Sequence, residues 1–350
     1  MDWRRIAEGV AVTGMLVASL ALFGNPRQAL DTIESVRTVP YAGALAGTLL
    51  GMVIWSGTLS ALLRAQGVAV DPGRFQTTFV AGMGIRSVVP GGSASGPAVL
   101  GYVVGRTTDA PVETAVAMAY VQDVLLWVGA TAVGTAGILG LLLFHHPSAQ
   151  VLELAAGLTV LTLVMFGVVG YGILNPEPVE RVVDALVTRL HDAASGVSER
   201  AAAYLDPEAV DDSLDRFFGA FRRLADDPEH LGPALASAVA GWFVHATTLY
   251  LVFVAVDVHA SYAAAIFVVP VGGLAEGLSV LPGGIGSVEP AFTGLIVLLT
   301  SAGFTTAATV VVLYRLSNYW FRLGLGFAAL PALGLGDVLE GAFDEPEVDA

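Results

Sequence analysis

Lysine and cysteine are both absent from this chain of 350 residues, whose 16 basic residues are all arginine. Without lysine there can be no Walker A phosphate loop, no Schiff base to pyridoxal phosphate or retinal, and no lysine general base. Without cysteine, disulfides, thiolate nucleophiles and Cys-ligated zinc or iron–sulfur centres are excluded. Charge is also scarce, because only 13% of the residues are charged and 55% are hydrophobic. A soluble protein of this size needs far more polar residues to cover its surface, so the composition, with a mean hydropathy of +0.72, predicts a polytopic membrane protein.

The formal net charge of −15 is concentrated in two segments. Residues 175–230 carry 13 acidic residues and 6 arginines, and residues 333–350 carry 6 acidic residues and no arginine. The rest of the chain is nearly neutral. Acidic, solvent-facing segments in a lysine-free chain favour a halophilic archaeon with a salt-rich cytoplasm, where carboxylates hold hydration and their repulsion is screened. A high genomic GC content is an alternative explanation for arginine in place of lysine.

Six stretches are apolar over the roughly 20 residues that a helix needs to cross a membrane. They are residues 6–24, 39–63, 112–143, 149–174, 232–256 and 305–332. Two further apolar stretches, 75–104 and 260–302, are interrupted by Pro-Gly-Gly, which cannot continue a helix. In hydrocarbon such a break is tolerated only where protein or a water-filled cavity satisfies the freed backbone groups. The sequence therefore predicts an all-α membrane protein with six full spans plus two re-entrant helical hairpins.

Arginine in the short loops predicts the orientation. Arg4 and Arg5 place the amino terminus in the cytoplasm, and 11 of the 16 arginines lie inside if each hairpin returns to its side of origin. Both termini of this multi-pass cell-membrane protein are then cytoplasmic. The first hairpin opens from the cytoplasm and the second from outside, so the two are predicted to be inverted repeats.

The same pattern divides the chain into two membrane repeats and two polar segments. The first repeat covers residues 1–174 and the second covers 231–332. Between them, 175–230 shows two amphipathic helical stripes that are predicted to lie on the cytoplasmic face, with a partner-docking element as the alternative. Residues 333–350 are predicted to form an acidic, solvating tail.

The two interrupted stretches also resemble each other in sequence. Residues 87–92 read Ser-Val-Val-Pro-Gly-Gly and residues 279–284 read Ser-Val-Leu-Pro-Gly-Gly, each followed by a serine and a proline. Trp55 and Trp242 occupy the spans before the two stretches. Inverted repeats with broken helices are typical of transporters, because the broken tips meet near the midplane and their free amides can hold an anionic group. The alternative is that the glycines only permit tight packing of helices.

Ionisable residues at membrane depth are costly and are therefore functional candidates by default. Arg315, Asn318 and Arg322 are spaced to share one face of the last span, where guanidinium groups could bind a lipid phosphate. Arg322 could also extend toward the cytoplasm. His245 is alone on an apolar helix face and is predicted to be structural.

Internal ion pairing is the alternative for the buried charges, such as Arg315 with Glu289 or Arg86 with Asp123. No catalytic residue, metal ligand or cofactor is expected. The predicted substrate-binding residues lie at the two Pro-Gly-Gly turns and at the polar positions around them. They are Arg86, Pro90, Gly91, Gly92, Ser93, Asp123, Glu276, Pro282, Gly283, Gly284, Gly286, Glu289, Arg315 and Asn318.

A family resemblance is carried by the second turn and the last span. Pro-Gly-Gly-Ile-Gly-Ser-Val-Glu at 282–289, then Leu-Tyr-Arg-Leu at 313–316 with Trp320 downstream, resembles the flippase-like, lysylphosphatidylglycerol synthase transmembrane-region family, with its UPF0104-like integral membrane proteins. The resemblance extends over nearly the whole chain in the length and order of spans. In this chain, residues 96–101 replace the family's usual Glu-Pro-Leu-Arg run, and Gln122 stands where an arginine is expected.

The resemblance implies movement of a lipid with a polar head group between leaflets. The expected function is therefore a flippase-like transporter of an anionic lipid or lipid-linked intermediate, with membrane lipids as partners and no nucleic acid. In a haloarchaeon, an isoprenoid lipid or a polyprenyl-phosphate-linked sugar is the expected cargo. One alternative is a membrane-embedded lipid-modifying enzyme that uses Glu276, Glu289 or Asp123 as acid or base. Another is a non-transporting partner that anchors a separate glycosyltransferase or synthase through residues 175–230.

Overall fold

A computed structural model describes most of the membrane region of the chain. The predicted first span (6–24), nearly all of the segment 175–230 and the tail beyond residue 334 lie outside the described residues. Within the described part, every regular element is helical, as the sequence predicts. The described residues are 26–89, 92–144, 149–174, 219, 228–277 and 282–334.

The first half of the chain contains six described helices, in which an interrupted pair follows one long helix and precedes another. They are α1 (Pro26–Glu34), α2 (Thr38–Ala65), α3 (Pro72–Val88), α4 (Gly92–Thr107), α5 (Val112–Phe144) and α6 (Ala149–Leu174).

The second half has a similar order, except that its last helix contains a π-helical turn. Its elements are α7 (Pro228–Ala255), α8 (Tyr262–Gly277), a 3₁₀ turn (Pro282–Gly284), α9 (Val288–Leu299), α10 (Phe304–Arg315), the π turn (Leu316–Trp320), α11 (Phe321–Ala329) and a final 3₁₀ turn (Leu330–Leu333).

Helices occupy the five predicted spans that fall within the described residues. Among these residues, three helices are long and apolar enough to cross a membrane: α2, α5 and the stretch Glu229–Ala255 of α7. The helices of the two interrupted stretches have 17, 16, 16 and 12 residues. At about 1.5 Å per residue, each is shorter than a hydrocarbon core of about 30 Å.

Both predicted interruptions are confirmed. Helix α3 ends at Val88, and Val89 is extended because the residue before a proline avoids the helical region. At the second turn, Gly283, Gly284 and Gly286 have φ of 58°, 67° and 87°. Glycine adopts this left-handed region without the steric cost that a side chain imposes.

The centre of the fold is the pair α2 and α7, which pack along each other. Small residues allow the close approach: the Trp55 ring lies against Gly241, and His245 lies against Gly51. Ser237 donates a hydrogen bond of 2.5 Å to the backbone oxygen of Ile54 across this interface. One hydrophobic cluster of buried residues surrounds the first interrupted stretch and another surrounds the second. The central pair therefore lies between the two interrupted stretches, and the candidate site forms against it.

Candidate functional site

A largely apolar cavity of about 150 Å³ with charged residues in its wall, here called the large cavity, lies between the central helix pair and the interruptions of both stretches. A second cavity of about 50 Å³, here called the small cavity, adjoins it and shares residues of its wall. Charged side chains line the large cavity although the surrounding bundle is apolar. They are Arg86, Asp123, Glu276 and Arg322.

Arg86 and Asp123 form a double hydrogen bond across the large cavity. Arg86 Nη1 donates to Asp123 Oδ1 at 2.7 Å, and Nη2 donates to Oδ2 at 2.5 Å. The arginine lies in the last turn of α3 and the aspartate lies on α5. Gly96 of α4 leaves room for this guanidinium, because a Cβ at that position would lie 2.7 Å from Arg86 Nε. The pair thus joins the end of α3, at the first interruption, to α5, as the pairing alternative predicts.

Arg315 and Glu289 hold the second Pro-Gly-Gly turn. Arg315 Nη2 donates to the backbone oxygen of Gly283 at 2.7 Å, and its Nε lies 3.2 Å from Glu289 Oε1 without hydrogen-bond geometry. The guanidinium carbon is 4.3 Å from the centre of the Tyr319 ring. Glu289 Oε2 accepts a hydrogen bond of 2.7 Å from the amide of Gly286. Backbone groups freed by the turn are therefore satisfied by an ion pair.

Arg322 and Glu276 form a looser pair. Arg322 Nη2 lies 3.7 Å from Glu276 Oε1, beyond hydrogen-bond distance. The Arg322 side chain is 10% exposed and the Glu276 side chain is 41% exposed. Arg322 Nε is buried with no hydrogen-bond partner. The expectation that Arg322 extends toward the cytoplasm is wrong, because its side chain turns into the bundle interior toward an acidic partner.

The small cavity brings Arg315, Asn318 and Arg322 to one wall, as their spacing predicts. Asn318 Nδ2 donates to Tyr314 Oη at 2.9 Å and lies 3.3 Å from His245 Nδ1. His245 is buried, and its Nε2 has no hydrogen-bond partner. This histidine was predicted to be structural only, but it lines the small cavity.

The predicted site residues divide into three groups. Six line the two cavities: Arg86, Asp123, Glu276, Gly283, Arg315 and Asn318. Glu289 belongs with them as the ion-pair partner of Arg315. Gly284 and Gly286 shape the second turn, which begins at Pro282. Gly92 begins α4 and Ser93 follows it, whereas Pro90 and Gly91 lie outside the described residues.

Several aromatic and neutral residues of the site were missed from the sequence. Trp127 lines the large cavity, and Tyr319 donates a hydrogen bond of 3.0 Å to the backbone oxygen of Ser87. Gln122, noted in the sequence only as a departure from the expected family pattern, donates at 2.8 Å to the backbone oxygen of Trp55. One sequence feature could have indicated an aromatic wall: Trp55 and Trp242 occupy corresponding spans before the two interrupted stretches. Their ring centres lie 5.4 Å apart beside the cavity.

These features define a class: a helical integral membrane protein with a cavity that holds ion pairs inside an apolar bundle. The chain belongs to the family described as the lysylphosphatidylglycerol synthase TM region, which matches residues 6–326. This confirms the resemblance seen in the sequence, and the membership is consistent with a membrane lipid-related protein.

Relatives of the chain occur in Methanothermobacter thermautotrophicus strain Delta H. A protein named UPF0104 membrane protein is 22% identical over 332 residues, which cover 93% of this chain and 94% of the relative. A second match to a protein of the same name and organism is 34% identical over 96 residues, covering 27% of this chain and 28% of the relative. The similarity therefore extends along nearly the whole chain.

Proposed function

We propose that this protein is a flippase-like transporter that moves an anionic lipid or a lipid-linked intermediate between the leaflets of the cell membrane. The observation that carries the proposal is the large cavity, where charged residues from α3, α5, α8 and α11 meet inside an apolar bundle. Charges at such a depth are costly and occur mainly on substrate or ion pathways. A lipid head group that crosses the membrane needs such a polar path.

The two interrupted stretches supply the conformational part of the proposal. Their helices are too short to cross the membrane singly, which supports two re-entrant hairpins in addition to the full spans. The hairpins are proposed to be inverted repeats, with the amino and carboxyl termini in the cytoplasm. Movement of one repeat against the other would then open the cavity to each leaflet in turn.

Arg322 is the proposed contact for the lipid phosphate. The guanidinium groups of Arg86 and Arg315 are occupied by short contacts to Asp123 and to the second turn. Arg322 keeps a buried Nε without a partner and faces Glu276 at 3.7 Å. A phosphate can therefore bind Arg322 without breaking a short ion pair.

Substitution Arg322→Gln is expected to slow lipid translocation in proteoliposomes by about tenfold or more, since a hydrogen bond to a charged group contributes about 1.5–3 kcal/mol. The assay follows a fluorescent lipid that an impermeant reductant bleaches from outside, run with phosphatidylglycerol and with a polyprenyl-phosphate-linked hexose. Arg64→Gln, at the exposed end of α2, should translocate as the unsubstituted chain does. If the unsubstituted chain moved neither lipid, the proposed function would be wrong.

A further inference from the structure

Three tryptophans form much of the apolar wall of the large cavity: Trp55, Trp127 and Trp242. The indole N–H of Trp55 donates to the backbone oxygen of Ala238 at 3.4 Å, and that of Trp242 donates to the backbone oxygen of Leu126 at 2.6 Å. Both polar atoms are therefore occupied by the protein. The surface that these two rings offer to a ligand is carbon, and the rings meet edge to face at 68°.

The charges that line the large cavity are balanced. Arg86 pairs with Asp123, and Arg322 faces Glu276. Beyond one phosphate at Arg322, any further negative charge on the head group would come close to two carboxylates and would be buried without a counter-ion. A hydroxyl group can both donate to a carboxylate and accept from a guanidinium, so an uncharged polyol suits both members of each pair.

The size of the large cavity limits what it can hold. Its volume is about 150 Å³, and an apolar protein cavity of about that volume holds one benzene molecule. The space therefore accommodates one six-membered ring. A wall that contains both tryptophan rings and paired charges suits a ring that has both C–H faces and hydroxyl edges.

We propose that the head group bound in the large cavity is a single uncharged sugar ring on a lipid anchor. This proposal rests on the proposed function, since it names the substrate class of the same cavity. The ring packs against Trp127 and Trp242, and its hydroxyl groups bind the two ion pairs. The anchor could be a diacylglycerol or a polyprenyl phosphate, and in the second case Arg322 has a free Nε–H for the linking phosphate.

Native mass spectrometry of the purified full chain tests this proposal through binding, without transport. The probes are monohexosyl diacylglycerol and a polyprenyl-phosphate-linked hexose, each paired with a sugar-free counterpart, phosphatidylglycerol and polyprenyl phosphate. Each sugar lipid that is a true ligand should be retained about tenfold more than its counterpart, equivalent to about 1.4 kcal/mol. Whichever sugar lipid shows the larger ratio of retention over its sugar-free counterpart identifies the anchor.

Trp127→Leu should remove most of this preference, because it replaces a flat aromatic ring in the cavity wall by a smaller, branched side chain on which a sugar ring cannot stack. Trp320→Leu, a matched change in the π turn of the last helix, should leave it unchanged. The proposal would be overturned if each sugar-free lipid were retained at least as strongly as its sugar-bearing counterpart. It would also be overturned if the ratio of retained sugar lipid to sugar-free lipid were the same in Trp127→Leu and in the unsubstituted chain. Sugar-lipid binding without translocation would instead refute the proposed function and leave the sugar site standing.

Discussion

Substitution Arg315→Ala is expected to lower the free energy of unfolding by about 3–5 kcal/mol, because removal of one partner leaves a buried charge without compensation. Arg315 is 6% exposed and makes three contacts: with Glu289, with the backbone oxygen of Gly283 and with the Tyr319 ring. Alanine would leave the Glu289 carboxylate, which is only 13% exposed, without its counter-ion and with the Gly286 amide as its remaining partner, and would free the Gly283 oxygen. The melting temperature, followed by tryptophan fluorescence in detergent, should fall by several degrees.

Two further variants separate loss of the ion pair from loss of a large side chain. Adding Glu289→Gln to Arg315→Ala should restore part of the stability, since the uncompensated charge is then gone. Arg106→Ala, at the exposed end of α4, should change the stability by no more than about 0.5 kcal/mol. A melting temperature for Arg315→Ala equal to that of Arg106→Ala would show that the buried pair does not hold the second turn.

Substitution Gly326→Ala is expected to destabilise the fold by about 1–3 kcal/mol through overpacking at a helix crossing. The last helix crosses α3 where Gly326 meets Gly84, and a Cβ built on Gly84 would lie 2.6 Å from the Gly326 Cα. A Cβ on Gly326 would likewise meet the Gly84 backbone and would lie 3.0 Å from the Val80 oxygen. Backbone atoms cannot rotate aside, so α3 would have to move and would carry Arg86 with it.

Gly324 provides the matched control for this crossing. It lies in the same helix, and a Cβ there would meet nothing within 4 Å. Gly324→Ala should therefore be neutral or stabilising, by up to about 1 kcal/mol, because alanine favours a helix more than glycine does. The comparison uses melting temperatures in one detergent. Equal melting temperatures for the two variants would mean that the Gly84–Gly326 contact is not close in the membrane-extracted protein.

The sequence predicts the two interruptions well, because Pro-Gly-Gly cannot continue a helix in any tertiary context. It also predicts the Arg86–Asp123 and Arg315–Glu289 pairs as the alternative to ligand binding, since buried charges in an apolar chain need counter-ions. Two features of the last helix have no comparable sequence pattern that would predict them. The π turn Leu316–Trp320 depends on packing, and the inward path of Arg322 depends on the position of Glu276.

The aromatic part of the site is harder to predict for a physical reason. In a membrane span, an aromatic residue that faces lipid and one that faces a cavity occupy equally apolar sequence, so Trp127 has no distinguishing pattern. His245 stands out in the sequence, but its contacts with Asn318 and Trp55 join residues from separate helices. Helix α1 was also missed, because it has only 9 residues and is polar. The inverted-repeat relation between the hairpins stays a prediction.

Access to the large cavity from both sides of the membrane is the most direct test of the proposed lipid path. The chain contains no cysteine, so a single introduced cysteine reports on one position without background. Ala130→Cys places the thiol in the wall of the large cavity on α5, and Asp109→Cys places it in the exposed loop before α5. In oriented proteoliposomes, an impermeant maleimide should label Ala130→Cys from either face and Asp109→Cys from one face. Labelling of Ala130→Cys from one face alone would contradict a path between the leaflets.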